Sequence, residues 1–186
     1  MTMCLSCAAW CQQRICGECR SLLRCPAPIS CSGVLVASGL VHEKVARRLV
    51  HLLKYQAITS AAVVLGSIMA SRLPATATAL VPVPRARLRR FRYGVDPAIE
   101  LARQVRMAPG LEIVHAIGAP LWWPSHAGSD RASRQPPVFR RLRTAPVGSV
   151  LVDDVVTTGS TLAAASELSG LVTAITATRA EVPMFE

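Results

Sequence analysis

Apolar and polar positions follow two different periods along the chain, and each period predicts a different kind of element. Residues 42–56 place apolar side chains such as Val45 and Leu49 on one face and basic side chains on the other, which predicts an amphipathic helix. Residues 58–73 are apolar at most positions and predict a second, more buried helix, which Pro74 ends. Two adjacent helices are therefore expected before the middle of the chain.

Short apolar runs bounded by glycine, proline or polar residues predict strands. The predicted strands cover residues 32–39, 79–83, 112–117, 149–152 and 172–178. Asp96 and Pro97 suit the N-cap and first turn of a further helix, and residues 161–168 predict another. Because strands alternate with helices, the predicted fold class is α/β, with a parallel sheet flanked by helices.

Two segments lack a clear period and are predicted to be loops. Residues 85–92 are rich in arginine, and residues 118–144 are rich in Pro, Ser, Gly and Arg. The second segment is long for a connection inside a compact domain, which is typical of a mobile loop. Every cysteine falls within residues 1–31, so we predict a small Cys-rich segment there and a second domain over residues 32–186.

The charge of the chain allows several kinds of partner. The net charge is +10, and all 21 basic residues except Lys44 and Lys54 are arginine. Because such a bias is consistent with genome base composition, the charge permits a polyanionic partner such as nucleic acid without requiring one. No apolar stretch is long enough to span a bilayer, and the first residues lack the pattern of a signal peptide. We therefore expect a cytoplasmic protein whose thiols stay reduced.

Four of the seven cysteines form two Cys-x-x-Cys pairs, Cys4 with Cys7 and Cys16 with Cys19. Two such turns present four thiolates to one ion, which predicts a tetrahedral, structural Zn²⁺ site. Reduced structural thiols, or disulfides in an oxidising compartment, are the alternatives. The cysteines that could compete for the metal or stay free are Cys11, Cys25 and Cys31.

The strongest chemical signal is the run Val-Leu-Val-Asp-Asp-Val-Val-Thr-Thr-Gly-Ser-Thr-Leu over residues 150–162. Its apolar start predicts a central strand of a parallel sheet, and ligands bind such sheets beyond the carboxyl ends of the strands. Asp153 and Asp154 follow at that end, where adjacent carboxylates can accept hydrogen bonds from vicinal ribose hydroxyls.

Small and hydroxylated residues come next and predict an anion-binding turn. Gly159 permits a tight turn, and the N–H groups of the turn and of the following helix attract an anion. Because the run has no lysine, it is not a Walker A loop, and one phosphate monoester suits it better than a triphosphate. Simple helix capping is the alternative. The candidate binding residues are Val155, Thr157, Thr158, Gly159, Ser160 and Thr161.

This run resembles the phosphoribosyl pyrophosphate (PRPP) binding motif of type I phosphoribosyltransferases. Together with the Cys pairs, the chain is similar to the ComF/GntX group of competence-associated proteins, in which a zinc-ribbon-like segment precedes a transferase-like domain. The resemblance implies that Mg²⁺ accompanies the diphosphate of PRPP, that residues 157–161 hold the 5-phosphate, and that Asp153 and Asp154 hold the ribose as catalytic residues.

A second block also resembles the family. Val-Pro-Val-Pro over residues 81–84, followed by an Arg-rich stretch and Arg-Tyr-Gly-Val-Asp over residues 92–96, is similar to the family's diphosphate-side loop. The resemblance implies that Arg85 and Arg92 bind phosphate oxygens, a task that the planar guanidinium suits. The family's Asn-Gln is replaced here by Val-Asp, which includes Asp96.

The resemblance implies two possible functions of different class. One is an enzyme of nucleoside metabolism, a pentosyl-transferring glycosyltransferase that moves phosphoribosyl to an unidentified nitrogen acceptor with release of pyrophosphate. The other is a non-catalytic module that keeps the nucleotide site and takes part in competence, with single-stranded DNA or the competence machinery as partner.

Overall fold

The structure is a computed structural model that describes residues 1–106, 110–119 and 138–181. The strands are β1 (Thr2–Met3), β2 (Trp10–Cys11), β3 (Ile29–Cys31), β4 (Val34–Val41), β5 (Ala79–Pro82), β6 (Glu112–Ile113), β7 (Ile117–Gly118), β8 (Arg140–Arg141), β9 (Ser149–Val156) and β10 (Thr173–Arg179). The helices are α1 (Gly17–Ser21), α2 (Lys44–Gln56), α3 (Thr59–Ala70), α4 (Arg87–Tyr93), α5 (Pro97–Val105) and α6 (Ser160–Ser169).

The central sheet has six strands in the order β3-β4-β10-β9-β5-β6. Every neighbouring pair from β4 to β6 is parallel, and β3 alone is antiparallel to its neighbour β4. The prediction of an α/β fold with a mostly parallel central sheet is confirmed. Since β9 lies between β10 and β5, its carboxyl end opens at the middle of the sheet edge, where ligands of such sheets bind.

Helices cover the sheet in two layers. On one face, α2, α3 and α5 bury residues such as Leu49, Met69 and Leu101 against the strands. On the other face, α6 buries Leu162 and Ala165. Leucine at helical spacing on α2 supplies the apolar stripe that the sequence predicts, so this helix lies with its charged face outward.

Three elements differ from their sequence-based prediction. The Arg-rich stretch predicted to be a loop contains α4, because arginine favours helices and the segment is bounded by Pro84 and Gly94. The strand predicted to end at Val152 continues to Val156, since β10 pairs with it from Leu151 to Val156. The predicted strand 112–117 is two short strands, β6 in the central sheet and β7 paired with β8.

The ends of the long predicted loop are ordered. β7 and β8 form an antiparallel pair, with Ile117 opposite Arg141. Residues 120–137, which contain most of the predicted mobile loop, lie outside the described residues.

The first residues pack onto the helical layer. β1 and β2 form an antiparallel hairpin, and Ile15 joins the same apolar core as α2 and α3. Arg48 of α2 also donates through Nε to the carbonyl of Leu5 at 3.2 Å. Residues 29–31, at the end of the predicted Cys-rich segment, form the edge strand β3 of the central sheet.

Candidate functional site

The candidate phosphate loop connects the end of β9 to the start of α6. Gly159 precedes the helix with a φ of +78°, a conformation that glycine adopts without strain. It is buried, and a Cβ built on it would lie 2.3 Å from Sγ of Cys31. Cys31 also donates from Sγ to the carbonyl oxygen of Thr158 at 3.3 Å. The edge strand β3 thus packs against the loop.

The hydroxyl groups of the loop lie at the surface. Thr157 and Thr158 are exposed, and Ser160 and Thr161 are partly buried. Oγ1 of Thr158 and Oγ of Ser160 are 3.3 Å apart. The first N–H groups of a helix have no partner inside the helix, so the start of α6 offers donors beside these hydroxyls. Val155, in contrast, is a partly buried strand residue opposite Thr178 of β10.

The two acids lie in the second half of β9, in different environments. Asp154 is buried, with 7% of its surface exposed. Asp153 is partly buried, and its Oδ1 accepts a hydrogen bond from the backbone N–H of Asp154 at 2.8 Å. Burial, followed by repulsion from the Asp154 carboxylate, raises the pKa of Asp153 to about 8. A carboxyl with such a pKa holds a proton near neutral pH and can donate a hydrogen bond.

A residue that the sequence did not indicate completes this pair of acids. Lys54, in the last turn of α2, places Nζ 3.0 Å from Oδ1 and 2.9 Å from Oδ2 of Asp154. Burial is the largest influence and lowers the pKa of Lys54, but the charge of Asp154, the hydrogen bond to it and the charge of Asp153 together outweigh burial and raise that pKa. Lys54 therefore places an ammonium group in the candidate site, where the carboxylate of Asp154 balances its charge. The one available signal was compositional, because lysine is rare in this Arg-rich chain.

Arg85 lies beside the lysine, where it is held in a fixed orientation. Its backbone N–H donates to Oδ2 of Asp96 at 3.0 Å, and its Nη1 donates to the carbonyl of Lys54 at 2.8 Å. Its guanidinium also lies over the ring of Tyr93, 4.8 Å from the centroid. The structure therefore brings Arg85 to the edge of the site. Arg92 lies on α4, is exposed, and stands 5.5 Å from the Tyr93 ring centroid.

Asp96 has a different role from the helix cap that the sequence suggests. It precedes α5, but its side chain makes no cap hydrogen bond. It is 5% exposed, and among the described residues its Oδ1 has no hydrogen-bond partner. Burial raises the pKa of Asp96 above the usual value. The hydrogen bond that Asp96 accepts from Arg85 ties the start of the Arg-rich segment to the start of α5.

The four predicted cysteine ligands converge near the N-terminus. The Sγ atoms of Cys4, Cys7, Cys16 and Cys19 all lie within 4.8 Å of one another, so they could hold one metal ion, as in a structural zinc site. Backbone N–H groups also point at the sulfurs, from Cys16 to Cys4 at 3.4 Å and from Cys19 to Cys16 at 3.5 Å.

The pKa of Cys4 fits this geometry. Burial alone would raise the pKa, but hydrogen bonds from the backbone N–H groups of Cys7, Cys16 and Ser6 outweigh it and lower the pKa to about 6. A thiolate is the form that binds metal. In residues 1–106, 110–119 and 138–181, these four cysteines are the one group of His, Cys, Asp or Glu side chains suited to a metal ion.

The other three cysteines stand apart from this cluster. Cys11 donates from Sγ to the carbonyl of Gln13 at 2.7 Å, and Cys25 is exposed. Cys31 contacts the candidate phosphate loop. The alternatives that the sequence left open, in which one of these residues replaces a ligand, are therefore not the arrangement seen here.

No protein-family model matches the chain, and the comparison with curated proteins finds no similar sequence. The ComF/GntX assignment thus stays a prediction that rests on the motifs themselves. Separately, no helix of the described residues is long and apolar enough to cross a membrane.

Proposed function

We propose that this chain binds PRPP, or a closely related ribose 5-phosphate, at the carboxyl end of β9. One observation carries the proposal: a pair of acids and a hydroxyl-rich turn follow each other at the end of a central parallel strand, directly before the N-terminus of α6. Parallel sheets bind ligands at this position, and a helix N-terminus favours a phosphate. A cap alone would not need two carboxylates there.

In this proposal each part of the ligand meets a matching group. The 5-phosphate lies on the N–H and hydroxyl groups of residues 157–161, and the ribose hydroxyls meet Asp153 and Asp154. Mg²⁺ enters with the diphosphate of PRPP and neutralises part of its charge. Arg85 and Arg92 are the proposed contacts on the diphosphate side.

The proposed reaction is transfer of phosphoribosyl to a nitrogen acceptor with release of pyrophosphate, on a fold of the type I phosphoribosyltransferase kind. Positive charge builds on the ribose ring as the bond from C1 to oxygen breaks. The protein contributes orientation and fixed charges rather than a covalent nucleophile. The carboxylate of Asp154 is well placed to stabilise that charge, since it is buried and paired with Lys54.

A binding titration tests this proposal. Isothermal calorimetry with PRPP and Mg²⁺ should show binding to the wild type and at least about tenfold weaker binding to Asp153→Asn/Asp154→Asn, because the hydrogen bonds between the ribose hydroxyls and the two carboxyl groups are lost. Glu112→Gln, which removes an exposed carboxylate from β6 of the same sheet, is the matched control and should bind normally. Equal affinity in the wild type and the double variant would overturn the assignment.

We further propose that the cysteine cluster holds one structural Zn²⁺. Four thiolates close the tetrahedral shell, which leaves no open position for a substrate. Ligation by thiolate needs reduced cysteines, which agrees with the cytoplasmic location that we propose for the protein. Metal analysis of the reduced protein should find about one zinc per chain. A folded protein without metal would contradict the proposed zinc site.

A second candidate function rests on α4. This short helix carries four arginines, and it exposes Phe91 by 90% and Leu88 by 50%. Arginines beside an exposed aromatic ring suit single-stranded nucleic acid, which would fit a competence-associated module without catalysis. Measuring pyrophosphate release with a panel of nitrogen bases separates the two functions. The enzyme releases pyrophosphate, whereas the non-catalytic module binds single-stranded DNA and releases no pyrophosphate.

A further inference from the structure

The candidate site is built from both layers of the fold. The phosphate loop leads into α6, which covers one face of the sheet. Lys54 belongs to α2, which covers the opposite face. The acids at the end of β9 lie between the two. A ligand that starts at the loop and passes the acids therefore meets Lys54 at its far end.

Lys54 is positioned by contacts on both its backbone and its side chain. Its carbonyl accepts from Arg85, which ties the end of α2 to the Arg-rich segment. Its Nζ contacts both carboxylate oxygens of Asp154, at 3.0 and 2.9 Å. A ligand group that hydrogen-bonds to Asp154 thus comes close to the ammonium. The Lys54 side chain is 25% exposed, so a ligand can reach it.

The choice of lysine is itself informative. The chain uses arginine at all but two of its 21 basic positions. An ammonium is a compact point charge on a flexible stem, whereas a guanidinium is a wide planar fork. At the end of α2, where Lys54 is only partly buried, a compact charge can move from one anionic partner to another with little rearrangement of its neighbours.

We propose that Lys54 is a specificity-determining residue that recognises the second anionic group of the ligand, the diphosphate at C1, and that it pairs with Asp154 when that group is absent. This inference rests on the proposed function, because it assumes that the 5-phosphate occupies the loop. It adds a selection rule: the site prefers a ribose with an anion at each end over a ribose with one phosphate.

Two ligands and three variants test the rule. Calorimetric titrations use PRPP with Mg²⁺ and ribose 5-phosphate, which lacks the diphosphate. Lys54→Met should weaken PRPP binding by about tenfold or more, which corresponds to about 1.4 kcal/mol, while ribose 5-phosphate binding changes much less. Lys44→Met, at the exposed start of the same helix, is the matched control and should leave both affinities unchanged.

Lys54→Gln guards against misfolding, since the amide can still donate to Asp154 without carrying a charge. It should show the same selective loss for PRPP. An equal loss for both ligands in Lys54→Gln, or no loss for either, would overturn the inference, because the lysine would then act only through Asp154 or not at all. If the wild type binds neither ligand, the proposed function itself fails, and that result is distinct from a lost preference.

Discussion

Cys31 of the edge strand β3 packs against Gly159 in the candidate phosphate loop. Gly159 combines a positive φ with a Cβ position only 2.3 Å from the Cys31 sulfur. Gly159→Ala should therefore destabilise the protein by more than about 2 kcal/mol in urea unfolding, through both backbone strain and overpacking, and it should also abolish ligand binding.

Gly170→Ala is the control for this prediction. Gly170 has the same φ of +78°, but nothing lies within 4 Å of its Cβ position. This variant should be destabilised by backbone strain alone, by about 1 kcal/mol. Adding Cys31→Ala to Gly159→Ala should restore part of the lost free energy of unfolding. Equal destabilisation by the two glycine variants would contradict the role of the sulfur contact.

The raised pKa of Asp153 predicts a pH dependence of stability. The pKa is about 8 in the folded protein, whereas an unfolded chain has a value of about 3.9. Between these values the folded protein keeps a proton that the unfolded chain has lost, so stability falls as pH rises. The Asp153→Asn variant cannot ionise at this position. Its free energy of unfolding should therefore increase relative to that of the wild type as the pH rises to about 8.

Urea unfolding at about pH 5, 7 and 9 measures this difference. Glu112→Gln again serves as the control, because its carboxylate is exposed on β6. A free-energy difference between Asp153→Asn and the wild type that stays constant over this range would show that Asp153 titrates normally.

At the scale of elements, the end of α2 decides where Lys54 lies. The helix stops at Ala57, which adopts a left-handed conformation with φ of 53° and donates from its N–H to Leu52. Glycine is the residue that suits this position. Ala57→Gly should raise the free energy of unfolding by about 1 kcal/mol without changing ligand affinity.

Urea unfolding and a PRPP titration of the same preparation check that prediction. Ala70→Gly, at the end of α3 in ordinary helical conformation, is the contrast and should lower stability by about 1 kcal/mol. A loss of stability in Ala57→Gly would show that the strained cap is not relieved.

For the whole molecule, the cysteine cluster and the α/β domain share one core. Cys4, Ile15 and Cys19 are buried together with Leu49 and Leu65 of the helical layer. Metal binding at the cluster should therefore stabilise the domain as well as the N-terminal segment. We expect a chelator, or the substitution Cys16→Ser, to lower the Tm by roughly 5 °C or more.

Differential scanning calorimetry with parallel zinc analysis tests this coupling. Cys25→Ser changes an exposed cysteine outside the cluster and should leave both zinc content and Tm unchanged. A protein that loses its zinc with no change in Tm would show that the cluster folds independently of the core.

The chain order of elements and the position of the candidate loop were predictable from local pattern. The apolar period of helix α2 and the short run that predicts strand β10 are local signals, and the Asp-Asp and Thr-Thr-Gly run contains its own turn chemistry. The two Cys-x-x-Cys pairs likewise predicted a cluster that the structure brings within 4.8 Å. In these cases the signal lies within a few neighbouring residues, so the sequence alone determined the element or the cluster.

Contacts between distant residues were decided only by the tertiary structure. Lys54 lies 100 positions before Asp154, and Cys31 lies 127 positions before Thr158. The extension of β9 to Val156 depends on pairing with β10. Helix α4 occupies a segment whose run of arginines had predicted a loop. No local pattern encodes such pairings, because they arise when the two helical layers and the edge strand pack against the sheet and meet at the end of β9.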